Sequence, residues 1–187
     1  MRVIAGRLGG RRLSAPSGRT TRPTSDRVRE ALFSMLGPID GVSVLDLFAG
    51  TGALGIEALS RGAAKALFVE RDAAAVAALK GNLTRLELAE PLVRVRVGDA
   101  FSALRSARRA GETYDLVFID PPYSHARELE SELSALLPAL LAPNARVVVE
   151  GDRRAPTELP LDVAQHKRYG DTTITIHRHI TEDSDEC

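Results

Sequence analysis

Four consecutive residues, Asp120-Pro121-Pro122-Tyr123, follow directly on the apolar run Tyr114-Asp115-Leu116-Val117-Phe118-Ile119. A carboxylate, two prolines and an aromatic ring at a strand end make a rigid pocket for a flat, amino-bearing base. Proline fixes φ and supplies no N–H, which leaves the carbonyls of Asp120 and Pro121 free to accept hydrogens from an exocyclic NH₂. Tyr123 can then stack on the ring. Paired prolines are also an ordinary way to end a strand, so the tetrapeptide by itself leaves a purely structural reading open.

A second group lies upstream. Gly50-Thr51-Gly52-Ala53-Leu54-Gly55 fits the pattern G-x-G-x-x-G, with Glu70 about twenty residues on to receive a ribose hydroxyl. The same glycines also permit a tight strand-to-helix turn with no ligand at all. Asp46, just before them, would repel a pyrophosphate but suits a cationic amino-acid group, bound directly or through water. A third candidate is Gly98-Asp99-Ala100.

These residues need a frame to bring them together. From residue 24 the chain alternates helix-like and strand-like segments, with short apolar strands expected at 42–47, 66–70, 93–97, 114–120 and 146–150. Helices are expected near 53–61, 72–86, 99–108 and 126–139. A further helix, capped by Thr24-Ser25-Asp26, runs to Leu36 with Val28, Leu32 and Met35 on one face. Past Pro160 the segments 161–169 and 172–179 flank Gly170-Asp171, which reads as a hairpin of two antiparallel strands. In open parallel sheets ligands bind beyond the carboxyl ends of the strands, where strand order reverses. Asp46 with its glycines, Glu70, Asp99 and Asp120 all fall on that one rim, and this convergence weighs more than any single motif.

The 187 residues suit one domain, and the formal net charge is zero. The charge is unevenly spread: Arg2, Arg7, Arg11, Arg12, Arg19, Arg22, Arg27 and Arg29 face only Asp26 before Glu30. A basic arm over 1–23, drawn as a small hairpin, therefore precedes a main domain at 24–180 and an acidic, frayed tail at 181–187. The single cysteine, Cys187, excludes an intrachain disulfide or thiolate cluster and points to a reducing compartment, the cytoplasm. No apolar stretch approaches the roughly 20 residues that span a bilayer. His177 and His179 lie on one side of a strand, but no third metal ligand is evident and exposed edge positions account for them. His125 reads as a surface residue at the pocket mouth, and Arg105, Arg108 and Arg109 as a solvated helix end. Nothing resembles a large apolar dimer face, so a monomer is expected.

Asp46-Leu47-Phe48-Ala49-Gly50-Thr51-Gly52, Glu70, Asp99 and Asp120-Pro121-Pro122-Tyr123 resemble the S-adenosylmethionine and amino-group motifs of class I N-methyltransferases. Residues 21–33 (TRPTSDRVREALF) and 52–62 (GALGIEALSRG) closely resemble the bacterial 16S rRNA guanine-N2 methyltransferase family, RsmD. The resemblance covers nearly all of the chain to about Glu150. It implies a Rossmann-like α/β fold: a mostly parallel seven-stranded sheet with an antiparallel edge hairpin, helices on both faces, and a small basic arm.

It also implies roles. Asp46 and the Gly50/Gly52 loop would hold the methionine part of S-adenosylmethionine, Glu70 its ribose hydroxyls, and Asp99 with Ala100 its adenine edge, with Phe48, Ala49 and Arg71 also among the cofactor-binding residues. Asp99 also reads as a helix N-cap, and the two roles are compatible. Asp120, Pro121, Pro122 and Tyr123 would hold and orient the target amino group of a base turned out of its stack. Arg11, Arg12, Arg22, Arg27 and Arg29 would anchor 16S rRNA, within a 30S subunit or an assembly intermediate, through its phosphates. No metal is required. The nearest rival is an adenine or cytosine amino-methyltransferase of DNA or other RNA, which shares the pocket chemistry, although the chain is short for a DNA-recognition domain. A nicotinamide dehydrogenase lacks a hydride-handling site here, and a non-catalytic RNA-binding protein has no need of Asp120.

Overall fold

The computed structural model describes residues 1–16, 25–121, 126–152 and 157–180. Short apolar runs separated by capped helices assemble seven strands among these residues: β1 (Ser43–Asp46), β2 (Lys65–Glu70), β3 (Val93–Val97), β4 (Tyr114–Ile119), β5 (Leu141–Asp152), β6 (Asp162–Tyr169) and β7 (Thr172–Arg178). Their order in the sheet is β3-β2-β1-β4-β5-β7-β6. The first five run parallel, and β7 is antiparallel to both of its neighbours. The order reverses between β1 and β4.

Helices α1 (Asp26–Leu36), α2 (Ala53–Ser60), α3 (Ala73–Arg85), α4 (Ala100–Arg109) and α5 (Ala126–Leu136) flank the sheet. Strand residues alternate between its two faces because successive side chains point to opposite sides. Val44, Phe68, Leu116, Phe118 and Val148 pack with Leu32, Phe33, Ile56 and Leu79 of α1 to α3. Leu45, Leu67, Val117, Val147 and Val149 pack with Ala103 and Leu104 of α4 and Leu133 of α5. Each face thus has its own core, and the sheet is covered on both sides.

Three expectations need correction. The buried face of α1 is Arg29, Leu32, Phe33 and Leu36, with Val28 and Met35 only half-buried at its margins. Strand β5 begins at Leu141 rather than 146, because the Pro143-Asn144 break is absorbed as an irregularity: Asn144 takes φ +60° and the β4–β5 register shifts there. His177 is not an exposed edge residue. β6 lies outside β7, so His177 is 2 % exposed and its Nδ1 is 3.1 Å from the Leu161 carbonyl.

The arm is stitched to the domain. Hairpin-like pairing brings the Val3 amide to the Arg11 carbonyl (2.9 Å) and the Leu13 amide to the Met1 carbonyl (3.0 Å), around an Arg2–Arg12 bridge. Val3, Leu8 and Leu13 are buried in the α1–α3 core. Buried Glu57 of α2 accepts the amides of Ile4 (2.7 Å) and Ala5 (3.0 Å), and Ser60 Oγ accepts that of Leu8 (2.9 Å). Gly6 makes this approach feasible, since a Cβ there would lie 1.9 Å from the Ser60 carbonyl oxygen.

Candidate functional site at the carboxyl rim of the sheet

β1 delivers Asp46 to the rim and the chain then turns sharply into α2. The turn is tied inward by the Leu47 amide to the Phe118 carbonyl (3.0 Å) and the Ala49 amide to the Val69 carbonyl (3.0 Å). Gly52 sits at φ +82°, where a Cβ would come within 2.4 Å of Leu79 Cδ1, so glycine is required on both backbone and packing grounds. The Asp46 carboxylate, 3 % exposed, accepts the Gly55 amide at 3.0 Å and so clamps the first turn of α2.

β2 delivers Glu70 beside this turn. One carboxylate oxygen accepts the Gly50 amide (2.8 Å), and the other accepts the amides of Arg71 and Asp72 (2.8 Å each). The Arg71 side chain is exposed. After β3, Asp99 caps α4, accepting the Ser102 amide at 2.9 Å, with Ala100 buried beneath it. The cap reading of Asp99 therefore holds, and its exposed carboxylate remains at the rim. Phe48 is half-buried against the α4–α5 core.

β4 delivers Asp120 and Pro121, both partly exposed. Register pairs Ile119 with Val149, so Asp120 and Glu150 leave adjacent strands side by side. The Asp120 carboxyl is pushed well above the ordinary range, first by loss of water, then by the neighbouring carboxylates of Glu150 and Asp46. Burial raises Asp46 to about 7 against the pull of the Gly55 amide, and Glu70 adds to the rise. The rim thus crowds desolvated carboxyl groups that hold their protons more tightly than in water, and a cation or hydrogen-bond donor brought there would favour their charged form.

The structure brings together Asp46, Phe48, Ala49, Gly50, Gly52, Glu70, Arg71, Asp99, Ala100, Asp120 and Pro121 at strand ends and the turns that follow them. Pro122, Tyr123 and Arg22 lie outside the described residues. Arg11, Arg12 and Arg27 are exposed. Arg29 is a correction: it is fully buried, donating to the Arg2 carbonyl and to Asp26 Oδ1 (2.8 Å), and so braces the arm against α1 instead of meeting RNA. Glu150 is not a candidate that the sequence points to. Neither is Asn82, fully buried in α3, whose side-chain amide donates to the carbonyls of Ser14 and Thr51 (3.0 Å each) while its oxygen accepts the Ser14 amide (2.8 Å). Both lack a motif; an Asn on the core-facing side of α3 is the one signal for the second.

Known proteins share this architecture. The family model described as "Conserved hypothetical protein 95" matches residues 1–178. Ribosomal RNA small subunit methyltransferase D of Escherichia coli K12 is 42 % identical over 155 residues, covering 81 % of this chain and 75 % of that protein. The Haemophilus influenzae protein of the same name is 38 % identical over 162 residues, covering 86 % and 83 %. A solved structure of a hypothetical protein from Thermus thermophilus superposes with a TM-score of 0.82 at 32 % identity, covering 96 % of this chain and 99 % of that one.

Proposed function

The chain belongs to the family of ribosomal RNA small subunit methyltransferase D, and from that premise we propose that it methylates the exocyclic N2 amino group of a guanine in 16S rRNA, with S-adenosylmethionine as methyl donor. What supports this is the meeting of Asp46, Glu70, Asp99 and Asp120 around a glycine turn at the strand-order reversal. The donor set fits the cofactor. Asp46 suits an ammonium group, Glu70 a pair of ribose hydroxyls, and Asp99 at the start of α4 an adenine edge. When bound, S-adenosylmethionine supplies a methyl group made electrophilic by its sulfonium.

The protein's share of the chemistry is positioning and proton handling. A guanine N2 lone pair is delocalised into the ring, so it has to be aimed, and Asp120 with the Pro121 carbonyl accepts the amino hydrogens to do so. Asp120 is crowded by Glu150 and Asp46, and a carboxylate whose proton affinity is raised in this way is the better acceptor for the proton the amine releases. The substrate is rRNA within a 30S particle in the cytoplasm.

Radiolabelled S-adenosylmethionine offered to undermethylated 30S subunits tests the reading. Label in N2-methylguanosine with wild type, reduced at least 100-fold in Asp120→Ala, is expected. Label in adenine or cytosine, or in DNA, would move the chain to the rival substrate class; no cofactor binding would end the methyltransferase reading.

A further inference from the structure

Away from the carboxyl rim, the arm, the start of α1 and the end of α3 enclose a cleft of about 820 Å³, within the size range of about 300–1,000 Å³ typical of ligand sites. Arg2 and Arg12 of the arm and Arg85 of α3 line it, together with Gly10 and Ser14. The acid on its wall, Asp26, is already engaged by Arg2 (3.3 Å) and by buried Arg29 (2.8 Å). Among the described residues Arg12 and Arg85 have no carboxylate partner, so the cleft carries net positive charge. Arg85 is nonetheless held in place, donating to Ser14 Oγ (3.0 Å) and receiving Arg11 on its carbonyl (3.0 Å). A guanidinium fixed by its neighbours loses less rotamer freedom on meeting an anion.

We propose that this cleft seats the phosphodiester backbone of the RNA substrate, so that three elements distant in sequence form one backbone-docking site. The inference rests on the rRNA methyltransferase reading above. Among the described residues no aromatic side chain lines the cleft. Contact is therefore to phosphate and sugar, fixing register without reading bases. Position favours the same occupant. Ser14 on the cleft wall is joined through the Asn82 side chain to the Thr51 carbonyl of the glycine turn, which places the cleft one buried residue away from the cofactor rim.

The test compares wild type, Arg12→Ala/Arg85→Ala and Arg12→Lys/Arg85→Lys on undermethylated 30S subunits, with KM for RNA, kcat and binding measured across salt concentrations. The alanine pair is expected to raise KM roughly tenfold at physiological salt, to leave kcat within about twofold, and to flatten the slope of log K against log salt by about 1.5–2, close to one unit per lost phosphate contact. The lysine pair keeps the charge and is expected to retain most of that slope. If it fails as badly as the alanine pair, the arginines merely brace the arm and the proposal falls. An unchanged KM and slope in the alanine pair, with wild type active, would likewise overturn the cleft while leaving the methyltransferase reading intact. Wild type that binds and methylates no RNA would sink both.

Discussion

Asp46 carries two duties on one carboxylate. One oxygen holds the Gly55 amide, and the charge is available to an ammonium group, yet burial raises the free group to about 7. Below that pH the proton must be removed before the charge can serve, and each pH unit of mismatch is worth about 1.4 kcal/mol. Cofactor affinity is therefore expected to fall by close to tenfold per unit once pH drops below about 6.5, and Asp46→Asn is expected to bind weakly with no such acid limb. Isothermal titration with S-adenosylmethionine between pH 7.5 and 5.5 reads this directly; a flat wild-type profile would show that Asp46 does not face the ammonium. Asp46 and Asp120 are legible in the sequence because Asp46 interrupts an apolar run just ahead of the glycine turn and Asp120 ends one beside proline. Glu150 is not, because its meaning lies in the register that seats β5 against β4. Arg29 misleads for a related reason: composition marks arginine as exposed, whereas here it is buried with Nη2 held by a backbone carbonyl and Asp26.

At the scale of elements, the docked arm is what the one-dimensional pattern conceals. Glu57 and Asn82 read as ordinary helix residues, and only folding shows them satisfying arm backbone groups from α2 and α3. Strands β2, β3 and β4 can be drawn within a residue because turns and caps bound them, while the first half of β5 hides behind Pro143-Asn144. The α1 face is shifted by one position from the periodic reading, because the arm covers a side of the helix that Val28 and Met35 only border. Removing the buried Asn82 side chain would take away the partner of the Ser14 amide and of the Ser14 and Thr51 carbonyls, with Ser14 exposed and Thr51 half-buried. Each orphaned group costs on the order of 1–3 kcal/mol when water cannot reach it. Water can reach the exposed Ser14 groups, so Asn82→Ala is expected to lose about 1–2 kcal/mol in urea unfolding and to speed amide exchange in the arm together with the glycine turn. Faster exchange in the arm alone would mean that Asn82 does not couple the two.

The whole molecule balances groups that titrate in opposite senses. Asp46 and Asp120 have folded-state proton affinities above the unfolded value of 3.8, so the folded chain holds the extra proton. Their stabilising contribution is complete below pH 3.8 and is lost as pH rises, for Asp46 through about 7. Buried His177 is shifted down from 6.5 chiefly by desolvation, so there the unfolded chain holds the extra proton. Its contribution is complete above pH 6.5 and is lost as pH falls toward the folded value. Between pH 5.5 and 7.5 the two effects oppose each other, and single substitutions uncover them. Asp46→Asn removes about 2 kcal/mol of stability loss across that window, so Tm at pH 7.5 minus Tm at pH 5.5 is expected to rise by roughly 4–8 °C. His177→Gln is expected to move the same difference the other way, because the acid penalty disappears with the imidazole. Scanning calorimetry of the three proteins at both pH values decides it. Variant profiles that run parallel to wild type would mean that the buried carboxylate and the buried imidazole do not set the pH response of the fold.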